Sequence, residues 1–356
     1  MLNTTINQSE IARRAGVSRA TVSFVLNDRL RSRVNAKTCE KVFEIVRESG
    51  YRPHRYAQMM RKGKSGTIGM IHWSSWVQTA LQRTFFTARE IHESGYQVLT
   101  AEVPSYREGL ITACDMMIDA RVEGVIFDGA APDYVLPQLK RLRKAGIPIV
   151  TIGSDRVSGI PHVATDSRQG LQEMTNHVIQ LGYRRLSMFA PEYAKLQNGY
   201  LNFSISERVE GFLEAVAEAG LTDTEVVYQA AALAPDELCE PGRLAALKML
   251  KRRKHPEVFL CCSDDWAVGA FKACMDAGLN VPKDIAITGF DDARIGKYTP
   301  AVLTTVSQPL EAVAKKAVEI LLTMARGEKS STSNKLVKLP CKLVIRESCG
   351  SVRSGD

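Results

Sequence analysis

Between Gln8 and Gly50 apolar residues recur at helical spacing in three short blocks, separated by polar, turn-forming positions. In the first block Ile11, Ala12 and Ala15 share one face of a helix over Gln8–Ala15. Asn7 stands at its N-cap, Glu10 three residues on completes a capping box, and Gly16 ends it. Ser18 caps a second helix running to about Leu26, with Val22, Val25 and Leu26 inward. Asn35 opens a third, whose Val42, Phe43, Ile45 and Val46 face inward before Gly50 stops it. From Thr67 the pattern changes. Strand-like runs at Thr67–Ile71, Gln97–Ala101, Gly124–Phe127, Pro148–Ile152, Leu186–Phe189, Val258–Cys262 and Asp284–Thr288 alternate with amphipathic stretches. Those stretches are Ala80–Glu93, Arg107–Ala120, Tyr134–Ala145, Ser167–Leu181, Glu207–Ala219, Ala267–Ala277 and Leu310–Ala325. Strands alternating with helices predict parallel sheets covered on both faces, and about seven such units suggest two similar halves.

Charge separates the same two regions. Residues 1–66 hold 14 of the 47 Lys and Arg and only five of the 39 Asp and Glu, a net of +9, so the remainder is near neutral at −1. A solvated basic face would be spread along the chain; this concentration points to a polyanion partner for the N-terminal helices. Membrane-surface binding is the rival, but no wide apolar face accompanies the charges. No run of about 18 apolar residues predicts a membrane span, and the polar start MLNTTINQSEIARR lacks the apolar core of a signal peptide. A cytoplasmic location is therefore expected.

Three short helices with a tight glycine turn between the first two describe a helix-turn-helix. A plain three-helix core is the bland alternative. Against it stands the outward face of the second helix: Arg19, Ala20, Thr21, Ser23 and Phe24. Small residues let a helix approach bases, Arg19 can fork onto a guanine edge, and Phe24 can pack on a thymine methyl. Ser18, Thr21 and Asn27 are short polar groups suited to phosphates, which fix register without reading sequence; Asn7 and Tyr51 join that expected set.

The stretch EIARRAGVSRATVSFVLN, followed by VNAKTCEKVFEIVRESGYRPHRYAQMMRKGKSGTIG, resembles the lac/gal-repressor family of bacterial transcription factors. The resemblance runs from about Asn7 to Cys349. It implies an N-terminal all-α helix-turn-helix domain (residues 1–50), a hinge helix and linker (51–66), and a two-lobed α/β effector domain like a periplasmic binding protein. The first lobe is expected to comprise 67–166 and 303–327, the second 167–302 and 328–349, with 350–356 as a tail. It further implies a hinge that enters the minor groove through Arg55, Ala57 and Met60, Met60 standing where an intercalating Leu is usual. Phe24 stands where Arg is often found, so no relative's operator sequence transfers.

In the effector domain the resemblance implies ligand contacts from Arg208, Ser263, Asp264 and Asp291, at the carboxyl ends of strands where such sheets bind ligands. Trp73, Ser74 and Trp76 follow the first strand, where an aromatic plane would stack on a sugar ring. Each has a bland alternative: Arg208 as an ion-pair partner, Asp291 and Asp292 as a turn and cap, the tryptophans as core or dimer surface. Gly153 falls where some sugar-responsive relatives carry Asp, and Val77-Gln-Thr-Ala80 replaces a familiar NPFF-like stretch. The partners implied are double-stranded DNA, a polar small-molecule effector and a second copy of the chain. The tail has no leucine heptad, so a dimer is the default.

Other classes fit less well. No GxGxxG after a strand, P-loop, GxSxG or HExxH is present, so no enzyme and no cofactor is expected. A solute-binding receptor shares the expected cleft but not the basic helices. An architectural DNA protein leaves the α/β region unexplained. The eight cysteines form no CxxC pair, and the scattered histidines give no metal-ligand spacing; reduced, core-filling thiols are expected.

Overall fold

The computed structural model describes residues 6–26, 30–51, 64–75, 77–103, 107–192, 203–232, 234–328 and 336–350. It divides into two compact units, Met1–Ser65 and Gly66–Asp356. Asn27, Arg55, Ala57, Met60 and Trp76 lie outside the described residues.

In the smaller unit α1 spans Gln8–Ala15, α2 Arg19–Val25 and α3 Ala36–Ser49. Short-range polar contacts fix each start. Asn7 Oδ1 accepts from the Ser9 and Glu10 amides, Ser18 Oγ from the Thr21 amide, and Asn35 Oδ1 from the Thr38 amide. Gly16 closes α1 at φ 69°, a left-handed turn that glycine adopts without Cβ strain. Glu10 departs from the expected reciprocal box, because its carboxylate accepts from Arg13 and Arg14. Ile11, Val22, Val25 and Val42 are fully buried, with Leu26, Phe43, Ile45 and Val46 packed around them. The Arg31 guanidinium lies 4.8 Å from the Phe43 ring centroid and its Nε donates to the Val25 carbonyl.

The larger unit contains two parallel sheets. The first joins β1 (Thr67–Trp73), β2 (Gln97–Val103), β3 (Val125–Asp128), β4 (Ile149–Ile152), β5 (His162–Asp166) and β11 (Leu336–Pro340), in the order β11-β5-β4-β3-β1-β2. One face packs on α5 (Arg107–Asp119) and α6 (Val135–Lys144) through Leu110, Met117 and Leu139. The other packs on α4 (Gln78–Glu93) and α11 (Leu310–Ala325) through Ile91, Val313 and Leu321. Alternation along β1 sends Ile68 and Met70 to one core and Ile71 and Trp73 to the other.

The second sheet joins β6 (Leu186–Pro191), β7 (Thr224–Gln229), β8 (Val258–Cys261) and β9 (Ala286–Thr288), in the order β7-β6-β8-β9. Its helices are α7 (Ser167–Gln180), α8 (Phe203–Glu218), α9 (Glu240–Leu250) and α10 (Asp264–Asp276). The first four strands of each sheet share one order, so each lobe has its switch point between its first and third strands.

Two expected lobe assignments are corrected. Residues 336–340, expected in the second lobe, form β11 beside β5 at the edge of the first sheet. Leu303 and Val306, expected in the first lobe, lie in the second-lobe core. There β10 (Thr305–Ser307) pairs antiparallel with β12 (Lys342–Val344). The chain thus changes lobes near Asp166, Gln308 and Pro340. Each crossing is a few extended residues, with no composition change to mark it in the sequence.

Candidate DNA-reading helix and inter-lobe cavity

On α2 the structure leaves Ser18, Arg19 and Ala20 exposed and Thr21, Ser23 and Phe24 half-buried. Ser18 and Thr21 also share a hydroxyl contact of 2.9 Å. Asn7 is exposed with its carbonyl engaged in capping. Tyr51, expected at a phosphate, is half-buried and packs against the three-helix core. Arg19 can therefore reach outward without disturbing packing, whereas Phe24 is half-buried.

Within the larger unit, the carboxyl ends of strands from both sheets meet around a cavity of about 280 Å³. First-lobe residues in its wall include Ser75, Arg83, Gly153, Ser154 and Thr165; the second lobe supplies Arg208, Cys262, Ser263, Asp265 and Asp291. The Ser204 amide donates to the Ser154 carbonyl at 3.2 Å, and the Arg294 amide to Gln78 Oε1 at 3.1 Å, so hydrogen bonds bridge the lobes. Gln308, on the middle crossing, reaches both: its Nε2 donates to Asp291 at 2.6 Å and its Oε1 accepts from Thr165.

Arg208 and Asp291 are brought together. Arg208 Nη2 lies 3.3 Å from Asp291 Oδ1, Nη1 donates to the Cys262 carbonyl, and the guanidinium sits 3.7 Å from the Phe290 ring centroid. Burial pushes the Asp291 carboxyl up to about 6, although Arg208 and Gln308 pull the other way. Asp291 and Asp292 hold φ values of 120° and 53°, strained backbone at the cavity edge that their packing sustains. Ser263 caps α10 through the Trp266 amide and lines the wall.

Other expected contacts stand elsewhere. Asp264 is 1% exposed and turned into the fold, accepting from Thr305 Oγ1 and the Ala293 amide, both at 2.6 Å. Burial and the neighbouring Asp291 push its carboxyl up to about 7; the wall position belongs to Asp265. Trp73 is a first-lobe core residue: its ring meets Phe127 and Tyr134 edge-on, and its Nε1 donates to the Ala130 carbonyl at 2.8 Å. With Ser74 it borders a second cavity of about 230 Å³, which adjoins the first at Ser75, Ala80, Arg83 and Ser154. A tryptophan following an apolar strand fits a core as readily as a ligand, and here the core face of β1 captures it.

Nothing in the sequence announces the ion pair between Arg83 on α4 and Asp128 at the end of β3. Arg83 Nε and Nη2 each donate to an Asp128 oxygen at 2.8 Å. Gly153 makes room for the pair: at φ 90°, an added Cβ would stand 2.2 Å from Asp128 Oδ1. The one available signal was an acid closing the apolar run of β3. Among the described residues no cluster of three His, Cys, Asp or Glu could hold a metal ion, and no helix is long and apolar enough to cross a membrane.

A basic helix-turn-helix unit joined to a two-lobed α/β unit with its cavity between the lobes defines a class, the DNA-binding regulators with a periplasmic-binding-protein-like domain. Residues 8–54 match the model for bacterial regulatory proteins of the lacI family, and residues 175–349 that for a periplasmic binding protein-like domain. The transcriptional regulator MalR of Streptomyces coelicolor is 30% identical over 98% of this chain and 97% of its own. The repressor PurR of Actinobacillus pleuropneumoniae is 27% identical over 95% and 97%. The lac repressor dimer bound to operator and the anti-inducer ONPF superposes with a TM-score of 0.81 at 24% identity, over 97% of this chain and 99% of that one. The chain belongs to the lacI family and is a DNA-binding transcriptional regulator.

Proposed function

We propose that the protein is a repressor that binds a near-palindromic operator as a homodimer and is controlled by a polar small molecule, a sugar or related metabolite, held between the lobes. The observation that carries this reading is the polar cavity where strand ends of both lobes converge. Arg208, Asp291 and Ser263 are its second-lobe contacts, Arg208 through the Nη hydrogens not spent on Cys262 and Asp291, and Asp291 as acceptor of hydroxyl protons. A second copy is supported by exposed apolar side chains, Leu81 and Phe85 on α4 and Ile295 and Tyr298 after β9.

The proposed mechanism is a linkage between two sites. Arg19, Ala20, Ser23 and Phe24 of each copy read a half-site, Asn7, Ser18, Thr21, Asn27 and Tyr51 hold phosphates, and the 51–66 segment enters the central minor groove through Arg55, Ala57 and Met60. Ligand that favours one lobe arrangement shifts the spacing of the two reading heads; without such a preference nothing shifts. The test is operator binding across a panel of polar metabolites, with wild type and Arg208→Lys, which keeps the charge but loses the fork. A metabolite that alters wild-type affinity and not that of the variant supports the reading. An undiminished response in the variant places the ligand elsewhere.

A further inference from the structure

The two cavity arginines are not equivalent. Arg208 spends Nη1 on the Cys262 carbonyl and Nη2 on Asp291, and its Nε is buried with no partner among the described residues. Arg83 uses only its Nε and Nη2 edge, the side-on pair, against Asp128. Its Nη1 has no hydrogen bond among the described residues, and the side chain, 14% exposed, borders both cavities. The end-on fork of Nη1 and the second Nη2 hydrogen is therefore open. That fork is planar, permanently charged and held in place by Asp128, with the Cβ-free Gly153 against it. Two parallel donors at this spacing match the two oxygens of a carboxylate or phosphate better than a single hydroxyl.

We propose that Arg83 is the first-lobe anchor for an acidic group, carboxylate or phosphate, on the effector, so that the ligand is an acidic polar metabolite. The inference rests on the reading of the cavity as the effector site and narrows its chemistry. Asp128 has two opposed effects: it orients the fork and, as a neighbouring negative charge, repels an acidic ligand.

The test is calorimetric titration of the full chain at constant ionic strength with inorganic phosphate, D-gluconate and D-glucose; the first two arms separate a phosphate from a carboxylate preference. The wild type is expected to bind one of the anions in preference to D-glucose. Arg83→Met should weaken that binding roughly tenfold or more, and Arg83→Lys should recover only part of it, because an ammonium offers no fork. Asp128→Asn removes the adjacent negative charge and should tighten anion binding, an opposite sign that holds even if Arg83→Met folds poorly. Lys272→Ala, which removes an exposed cation outside both sites, should leave the anion affinity unchanged, which excludes binding to surface charge at large. Anion affinity equal in wild type and Arg83→Met, or no binding of either anion to the wild type, overturns the proposal. Operator control by a neutral metabolite, indifferent to Arg83→Met, also sinks it and leaves the broader reading standing.

Discussion

The groups that face DNA and the groups that face the cavity are held in opposite ways. On α2, Ser18 and Thr21 are three residues apart, exposed or half-buried, and fixed by one turn of backbone. Around the cavity, Arg83 and Asp128 are 45 residues apart and Arg208 and Asp291 are 83 apart, all of them buried or nearly so. A local, exposed site loses its chemistry when altered but keeps its fold. A buried site assembled from distant segments risks both.

The largest expected effect tests that contrast at Trp73. Trp73→Ala removes a ring locked between Phe127 and Tyr134 and should destabilise the larger unit by about 3–5 kcal/mol. Differential scanning calorimetry would show one transition falling while the DNA affinity of the surviving protein holds; unchanged stability with a lost ligand response would return Trp73 to the ligand set. Arg19→Ala should cost about 1–3 kcal/mol of operator binding, read by fluorescence anisotropy, with no change in melting. A drop in melting would mean that Arg19 packs rather than reads. Ser18→Ala removes the α2 cap and should cost the smaller unit about 1 kcal/mol in denaturant titration, leaving the larger unit unmoved.

The smallest net effect is a pH dependence confined to the larger unit. Asp264 rises from 3.8 to about 7 on folding, so the stability it contributes is present below pH 3.8 and is lost as pH rises through about 7. His162, buried beside Thr151, falls from 6.5 to about 4, so its contribution is present above pH 6.5 and is lost as pH falls through about 4. The two nearly cancel between about pH 4 and 6, and above that His162 no longer offsets Asp264, so the larger unit's melting temperature, read between pH 5 and 8, should stay nearly flat and then decline. A rise from pH 5 to about 6.5 that then levels off would show that Asp264 is ionised in the fold.

What the sequence made legible follows the same division. Asn7, Gly16, Ser18, Asn35 and Gly50 mark five of the six ends of α1–α3, because caps are chosen by neighbours within a few residues, whereas α2 runs out at Leu26 with no such mark. Central strands of the larger unit, such as β3 and β8, were legible as short apolar runs buried on both faces. The edge strands β7 (TEVVYQ) and β11 (LVKLP) were not, since half-buried edges carry polar residues and β11 is a strand only through its pairing with β5. Helix α9 begins Glu-Pro-Gly, which reads as a turn, and packs against α10 instead. In the cavity, the resemblance pointed to Arg208 and Asp291; Arg83 and Asp128 needed the fold, because nothing near either residue names its partner.

The most direct test of sequence reading by α2 is selection of binding sites from a random duplex pool by the intact protein, run in parallel with Phe24→Arg. The account predicts that wild type enriches a near-palindrome of two half-sites. The variant should shift one position in each half-site towards guanine, because a fork onto a guanine edge replaces an apolar ring. No enrichment by the wild type, or the same motif from both proteins, would contradict it.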